Sequence, residues 1–82
     1  MTNLEYRNKL RFAEIQRRQA CGHDMVSYWV LYMSGLKRGR YGRLCSTDEA
    51  HAESMALCDS TDAERRMLGA GYRDGFNAFS HN

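Results

Sequence analysis

Cysteine and histidine are the residue types here best suited to metal or nucleophilic chemistry, and their spacing favours neither. Cys21-Gly22-His23 and Cys45…His51…Cys58 offer soft ligands. Structural zinc sites draw ligands from close pairs such as CxxC, a form that neither group has. Cys45 and Cys58 flank a predicted helix, which holds them roughly 18 Å apart. His51 and Cys58 lie seven residues apart, about two helical turns or ~10 Å, too far for a nucleophile and its base. The carboxylate pairs Asp48/Glu49 and Asp62/Glu64 fall in first helical turns, where capping and the helix dipole already explain them. Gly35-x-x-x-Gly39-x-x-Gly42 follows a helix instead of a strand and lacks the Gly-Lys-Ser/Thr ending of a phosphate loop. The expectation is a protein without catalysis, metal or cofactor, with reduced free thiols.

Binding chemistry is denser. Lys37, Arg38, Arg40, Tyr41 and Arg43 form the tightest basic and aromatic cluster in the chain. Ten of the twelve basic residues are arginine, whose fork matches phosphate or carboxylate in bidentate fashion. Tyr41 offers a face on which an unpaired base can stack. The same cations also complement the negative end of a helix dipole, the alternative reading of this cluster. Residues 1–43 carry nine Lys/Arg against three Asp/Glu, and residues 44–82 carry three against seven. Such a two-signed chain can pair its own halves, self-associate, or turn its basic half to nucleic acid.

The elements that position these residues read as helices. Proline is absent, strand signals are poor and helix punctuation is good. Residues 3–20 form a polar, arginine-rich helix with Leu4, Leu10, Phe12 and Ile15 as a rough apolar stripe, stopped by Gly22. Asp24 is placed to cap a second helix running to about Arg38. Its apolar face is Met25, Trp29, Tyr32, Met33 and Leu36, widened by Val26, Val30 and Leu31. Gly39 to Arg43 then reads as a basic loop. Ser46-Thr47-Asp48-Glu49 fits a capping box with Ser46 at the cap, opening a third helix to about Cys58. Thr61-Asp62-Ala63-Glu64 fits another, opening a fourth to about Phe79 along Leu68, Tyr72, Phe76 and Phe79. The expected architecture is all-α: one compact small domain of three to four short helices over 1–82, with a basic N-terminal helix (1–20) and a helical core (24–79).

One phrase occurs twice, 36 residues apart: Ser34-Gly35-Leu36-Lys37-Arg38-Gly39 and Ala70-Gly71-Tyr72-Arg73-Asp74-Gly75. Glycine in a helix costs about 1 kcal/mol relative to alanine, so two spaced pairs call for a purpose. Close packing of helices two and four through their Gly-x-x-x-Gly faces supplies one, by analogy with membrane helices. An antiparallel or steep crossing is expected, because helix three is traversed between them.

Gly35-Leu36-Lys37-Arg38-Gly39-Arg40-Tyr41-Gly42-Arg43 resembles the first helix of ribosome modulation factor and its small relatives, which carry a G-x-x-x-G-x-x-G-basic stretch. Arg66-Met67-Leu68-Gly69-Ala70-Gly71-Tyr72-Arg73-Asp74-Gly75 is similar to their second helix. The resemblance implies a compact helix pair that binds ribosomal RNA, and it marks Arg38, Arg43, Arg66, Tyr72 and Arg73 as surface candidates. In place of the family's Cys-Pro-Tyr loop this chain has Leu44-Cys45-Ser46, and its connection between the helices is longer and acidic.

These readings converge on a small regulatory binding protein for structured RNA or the ribosome. The candidate contacts are Lys37, Arg38, Arg40, Tyr41, Arg43, Arg17, Arg18, Arg66 and Arg73, with Arg7 and Arg11 in support. The rival is a phage- or plasmid-type inhibitor, for example of anti-CRISPR type, that binds a host protein complex through its acidic segment. A homodimer is a third possibility. The N-terminal residues lack a basic-then-apolar export signal, and the longest apolar run is far short of the ~20 residues that span a bilayer. A cytoplasmic protein without a membrane partner is therefore expected.

Overall fold

In the computed structural model, which describes residues 2–80, the chain folds into four α-helices. These are α1 (Asn3–Gln19), α2 (His23–Tyr41), α3 (Asp48–Ala56) and α4 (Ala63–Ser80), with single 3-10 turns at Gly42–Leu44 and Leu57–Asp59. The all-α expectation holds. Residues 1, 81 and 82 of the expected 1–82 domain lie outside the described residues.

The helix starts differ in detail from those expected. Thr2 Oγ1 accepts the Glu5 N–H at 3.1 Å and so caps α1. α2 begins at His23, one residue before Asp24, behind Gly22 at φ 100°; no side chain caps it. Gly22 therefore redirects the chain into α2 and does not stop α1, whose last cap is Ala20. The cap of α3 is Thr47, one residue after Ser46: Thr47 Oγ1 accepts the Ala50 N–H at 3.1 Å. Ser46 is occupied otherwise, since its carbonyl and hydroxyl both accept from Arg38. At α4 the carboxylate of Asp62 accepts the Glu64 N–H at 3.0 Å, while the Thr61 carbonyl accepts from Arg66. α2 also runs one turn further than expected. Gly39, Arg40 and Tyr41 are helical, and the stop is Gly42, at φ 59°, whose N–H returns to the Arg38 carbonyl.

The seam between α2 and α4 is the main packing surface, and glycine makes it possible. A Cβ on Gly75 would overlap the Tyr32 carbonyl and lie 2.7 Å from its carbon. One on Gly71 would overlap the Tyr28 carbonyl, and one on Gly35 the Tyr72 carbonyl. At Gly39 the neighbour is the Phe79 side chain, with its Cβ 2.7 Å from the added atom. Backbone approach this close suits Cα–H···O contacts across the seam. Contacts advance together along both helices, from Tyr28/Gly71 through Tyr32/Gly75 to Gly39/Phe79. The two helices therefore run in the same direction, which corrects the antiparallel or steep crossing. α3 and its flanking turns supply the return path that a parallel pair requires. The two copies of the phrase do not face each other: Gly39 meets Phe79, four residues beyond Gly75, so they are offset by one helical turn.

α1 packs antiparallel on α2, with Tyr6 against Tyr41 at one end and Phe12 against Trp29 further along. Its buried residues are Tyr6 and Ala13; Leu4, Phe12 and Ile15, expected as its apolar stripe, are exposed. The core is thin, centred on Leu36 (0 % exposed) with Tyr6, Ala13 and Tyr72. α3 buries none of its residues fully. It is held instead by polar bonds: His51 Nδ1 to Tyr72 Oη at 2.7 Å, and Arg38 to its first turn. Among the described residues, no helix is long and apolar enough to cross a membrane.

Candidate nucleic-acid interface

The sequence candidates do not form one surface. Arg40 and Tyr41 occupy the last turn of α2, where the first two turns of α1 lie alongside. The guanidinium of Arg40 sits 5.2 Å from the centroid of the Tyr6 ring and 5.8 Å from that of Tyr41. Those rings meet edge to face, 6.0 Å apart at 86°. Cation–π contact and ring packing thus fix the arginine head in place, so less side-chain freedom is lost when it binds an anion. Asn3 and Arg7 close the other side, and the five residues line one cleft of about 350 Å³. Tyr41 remains 49 % exposed, so part of the ring faces solvent. Burial raises the pKa of Tyr6 above its ordinary value.

Lys37 and Arg43 flank this end. Lys37 is exposed and borders a second groove with Leu31, Ser46, Ala50 and Tyr72. Arg43 is exposed and pairs with Asp48 at 2.9 Å.

Arg38 does not belong to the surface. It is 9 % exposed, and its guanidinium donates to the carbonyls of Ser46 and Thr47 and to Asp48. Expected as a phosphate contact, it is a structural tie between α2 and α3. Tyr72, a surface candidate by the family resemblance, is likewise buried and bonded to His51.

The remaining arginines lie elsewhere. Arg17 and Arg18 share Glu14, at 3.7 and 3.2 Å. Arg17 follows Tyr6 by eleven residues along α1, about 16 Å at the helical rise. Arg11 lines a separate hollow there with Glu14, Ile15 and Arg18. Arg66 donates to the carbonyls of Ser60 and Thr61, both at 2.9 Å, and so secures the turn before α4. Arg73 is exposed beside Asp74, 3.7 Å away. The structure therefore unites Arg7, Arg40 and Tyr41 in one cleft, places Lys37 in a second groove and Arg43 against Asp48, and leaves Arg17, Arg18, Arg66 and Arg73 outside.

Asn3 and Tyr6 are the lining residues that sequence reasoning missed. The signal was their spacing: Asn3, Tyr6 and Arg7 fall at i, i+3 and i+4, one face of a helix. Among the described residues no group of three Cys, His, Asp or Glu side chains could hold a metal ion. Cys21 and Cys45 are exposed and Cys58 is half-buried, all as free thiols. Compared with protein families, characterised proteins and solved structures, the chain has no match.

Proposed function

We propose that this is a small, non-enzymatic regulatory protein that binds structured RNA, with the ribosome as a natural target. The contact surface is the basic-aromatic end of α2 together with the start of α1. The observation that carries this reading is Arg40, held over the rings of Tyr6 and Tyr41 and facing Arg7 across one cleft. A fixed arginine and a second, exposed one beside an exposed tyrosine combine phosphate attraction with a stacking surface. The resemblance to ribosome modulation factor supports the same partner class, in a cytoplasmic setting. Arg38, part of that resemblance, contributes by holding the fold.

The test is binding of a structured RNA, followed by fluorescence anisotropy at low and high salt. Affinity should fall steeply with salt, and the slope should flatten when Arg7 and Arg40 are both replaced by alanine. Unchanged affinity and slope in that double variant would refute the assignment.

A second reading has its own observation. Glu49, Glu53, Asp59, Asp62 and Glu64 are all exposed on and after α3. That acidic segment suits the basic groove of a protein target, as an inhibitor of a host complex would require. Capture of one protein complex by the whole chain, insensitive to nuclease and lost on reversing these charges, would favour it.

A further inference from the structure

We infer that the cleft between α1 and α2 receives a single unpaired nucleotide of the RNA, with its base against Tyr41 and its phosphate between Arg7 and Arg40. This rests on the RNA-binding reading above and specifies what that site selects.

Three features carry the inference. The first is size. About 350 Å³ lies at the small end of ligand sites, which run from roughly 300 Å³ upward. That volume suits one nucleotide. The second is the distribution of chemistry. Tyr41 supplies exposed aromatic surface, backed by the buried Tyr6; Arg7 and Arg40 supply positive charge, and Asn3 supplies a side-chain amide. A nucleotide presents the complementary set: a flat face, an anionic group and a hydrogen-bonding edge. An amide both donates and accepts, so Asn3 can address that edge. The third is access. In a paired helix the faces of the bases are stacked on one another, and only bulges, loops and ends expose them to an aromatic side chain. A surface made only to follow a duplex backbone needs arginines but no partly exposed tyrosine among them.

The cleft also has a wall on each of two helices. Asn3, Tyr6 and Arg7 belong to α1, and Arg40 and Tyr41 to α2. A nucleotide seated there bridges them.

The experiment compares three labelled hairpins of one sequence: fully paired, carrying one bulged nucleotide, and carrying an abasic site at the bulge. Each is titrated with the full-length protein by anisotropy. The expected result is that the bulged hairpin binds about ten-fold more tightly than the other two, within the range that stacking of one base supplies. Tyr41→Ala should bring the bulged hairpin to the affinity of the paired one, and Tyr41→Phe should retain the preference. The abasic hairpin makes the same test without altering the protein, so a folding defect in Tyr41→Ala leaves the outcome decidable. Equal, salt-sensitive affinity for all three hairpins overturns the nucleotide cleft while leaving RNA binding intact. Absence of salt-sensitive binding to any hairpin overturns the RNA reading itself. Adenosine and guanosine monophosphates are titrated in parallel. If either binds as tightly as the bulged hairpin, the ligand is a free nucleotide and the RNA assignment of the cleft is wrong.

Discussion

Arg38 and Asp48 form an ion pair at 2.8 Å that ties the last turn of α2 to the first turn of α3. The arginine is buried and the carboxylate half-exposed. Arg38 also donates to the carbonyls of Ser46 and Thr47, so one side chain holds the whole entry to α3. Hydrogen bonds to Arg38 and then to Arg43 hold the Asp48 carboxyl below its ordinary range, which keeps it ionised for both partners. α3 has little apolar burial of its own, so this tie substitutes for a core.

Arg38→Ala should therefore destabilise the protein by about 2–3 kcal/mol, the loss expected when charged hydrogen bonds to a part-buried site are removed. Arg38→Lys should restore only part of this, since an ammonium lacks the planar fork. Urea denaturation followed by circular dichroism measures both. A midpoint for Arg38→Ala equal to that of the parent chain would show that the tie contributes nothing.

The glycine seam makes a graded prediction. Gly75→Ala places a methyl against the Tyr32 backbone, which cannot turn aside. A loss of about 3 kcal/mol is expected, at the upper end for overpacking. Gly39→Ala meets a side chain instead, that of Phe79. The nearest atom there is the Phe79 Cβ at 2.7 Å, which ring rotation does not move. The overlap is nonetheless milder than that with the Tyr32 carbonyl at Gly75, and alanine returns about 1 kcal/mol of helix propensity. The second variant should thus be clearly more stable than the first, by thermal melting of the two side by side. The reverse order would contradict the parallel seam.

Acid should loosen α3 before it unfolds the rest. His51 bonds to Tyr72, stacks near Phe76 and lies close to Arg38 and Asp48. Burial first, and the Arg38 charge second, lower its pKa below 6.5, outweighing Asp48. A histidine depressed in the folded state binds fewer protons there than in the unfolded chain. Its contribution is fully present above about 6.5 and is lost as pH falls from there through the folded value. Asp48 adds a second loss at lower pH, beginning below 3.8. Stability measured from pH 7.5 to 5 should decline, and His51→Gln should flatten that decline. A His51→Gln profile parallel to that of the parent chain would locate the pH dependence elsewhere.

How much of this was legible in the sequence depends on which force set each feature. The all-α class and the approximate helix positions followed from capping residues and glycine punctuation, which act locally. The sequence left three or four helices open, and four are present among the described residues. Cap positions slipped by one where a long-range partner intervened: Ser46 reads as a cap until Arg38 claims it. The repeated phrase correctly marked a seam, because glycine in a helix needs a reason. Its direction and one-turn offset were not legible, since spacing along one chain says nothing of register between two helices. Arg38 illustrates the limit for the site. A lone arginine in a basic run looks solvated, and only the four acceptors brought in from the α3 entry reveal that it is buried. Tyr6 shows the converse, a core residue hidden in a polar helix whose obvious apolar residues, Leu4, Phe12 and Ile15, face outward.

The last prediction concerns α1, which is joined to the rest through Tyr6, Ala13 and the Phe12–Trp29 contact. With so little apolar burial, this helix should open locally before the α2–α4 pair does. Tyr6 packs edge to face on both Tyr41 and Phe79, and so anchors the end that forms the cleft. Tyr6→Ala should speed amide hydrogen exchange through α1 while leaving α2 and α4 protected near the seam. The chain has one tryptophan, Trp29, and its emission should shift red as Phe12 moves away. A hairpin with one bulged nucleotide should slow α1 exchange in the parent chain, because its ligand spans both helices. The same hairpin should fail to do so in Tyr6→Ala. If bound RNA leaves α1 exchange unchanged in the parent chain, docking of this helix and binding at the cleft are independent, and α1 serves only as a cover for α2.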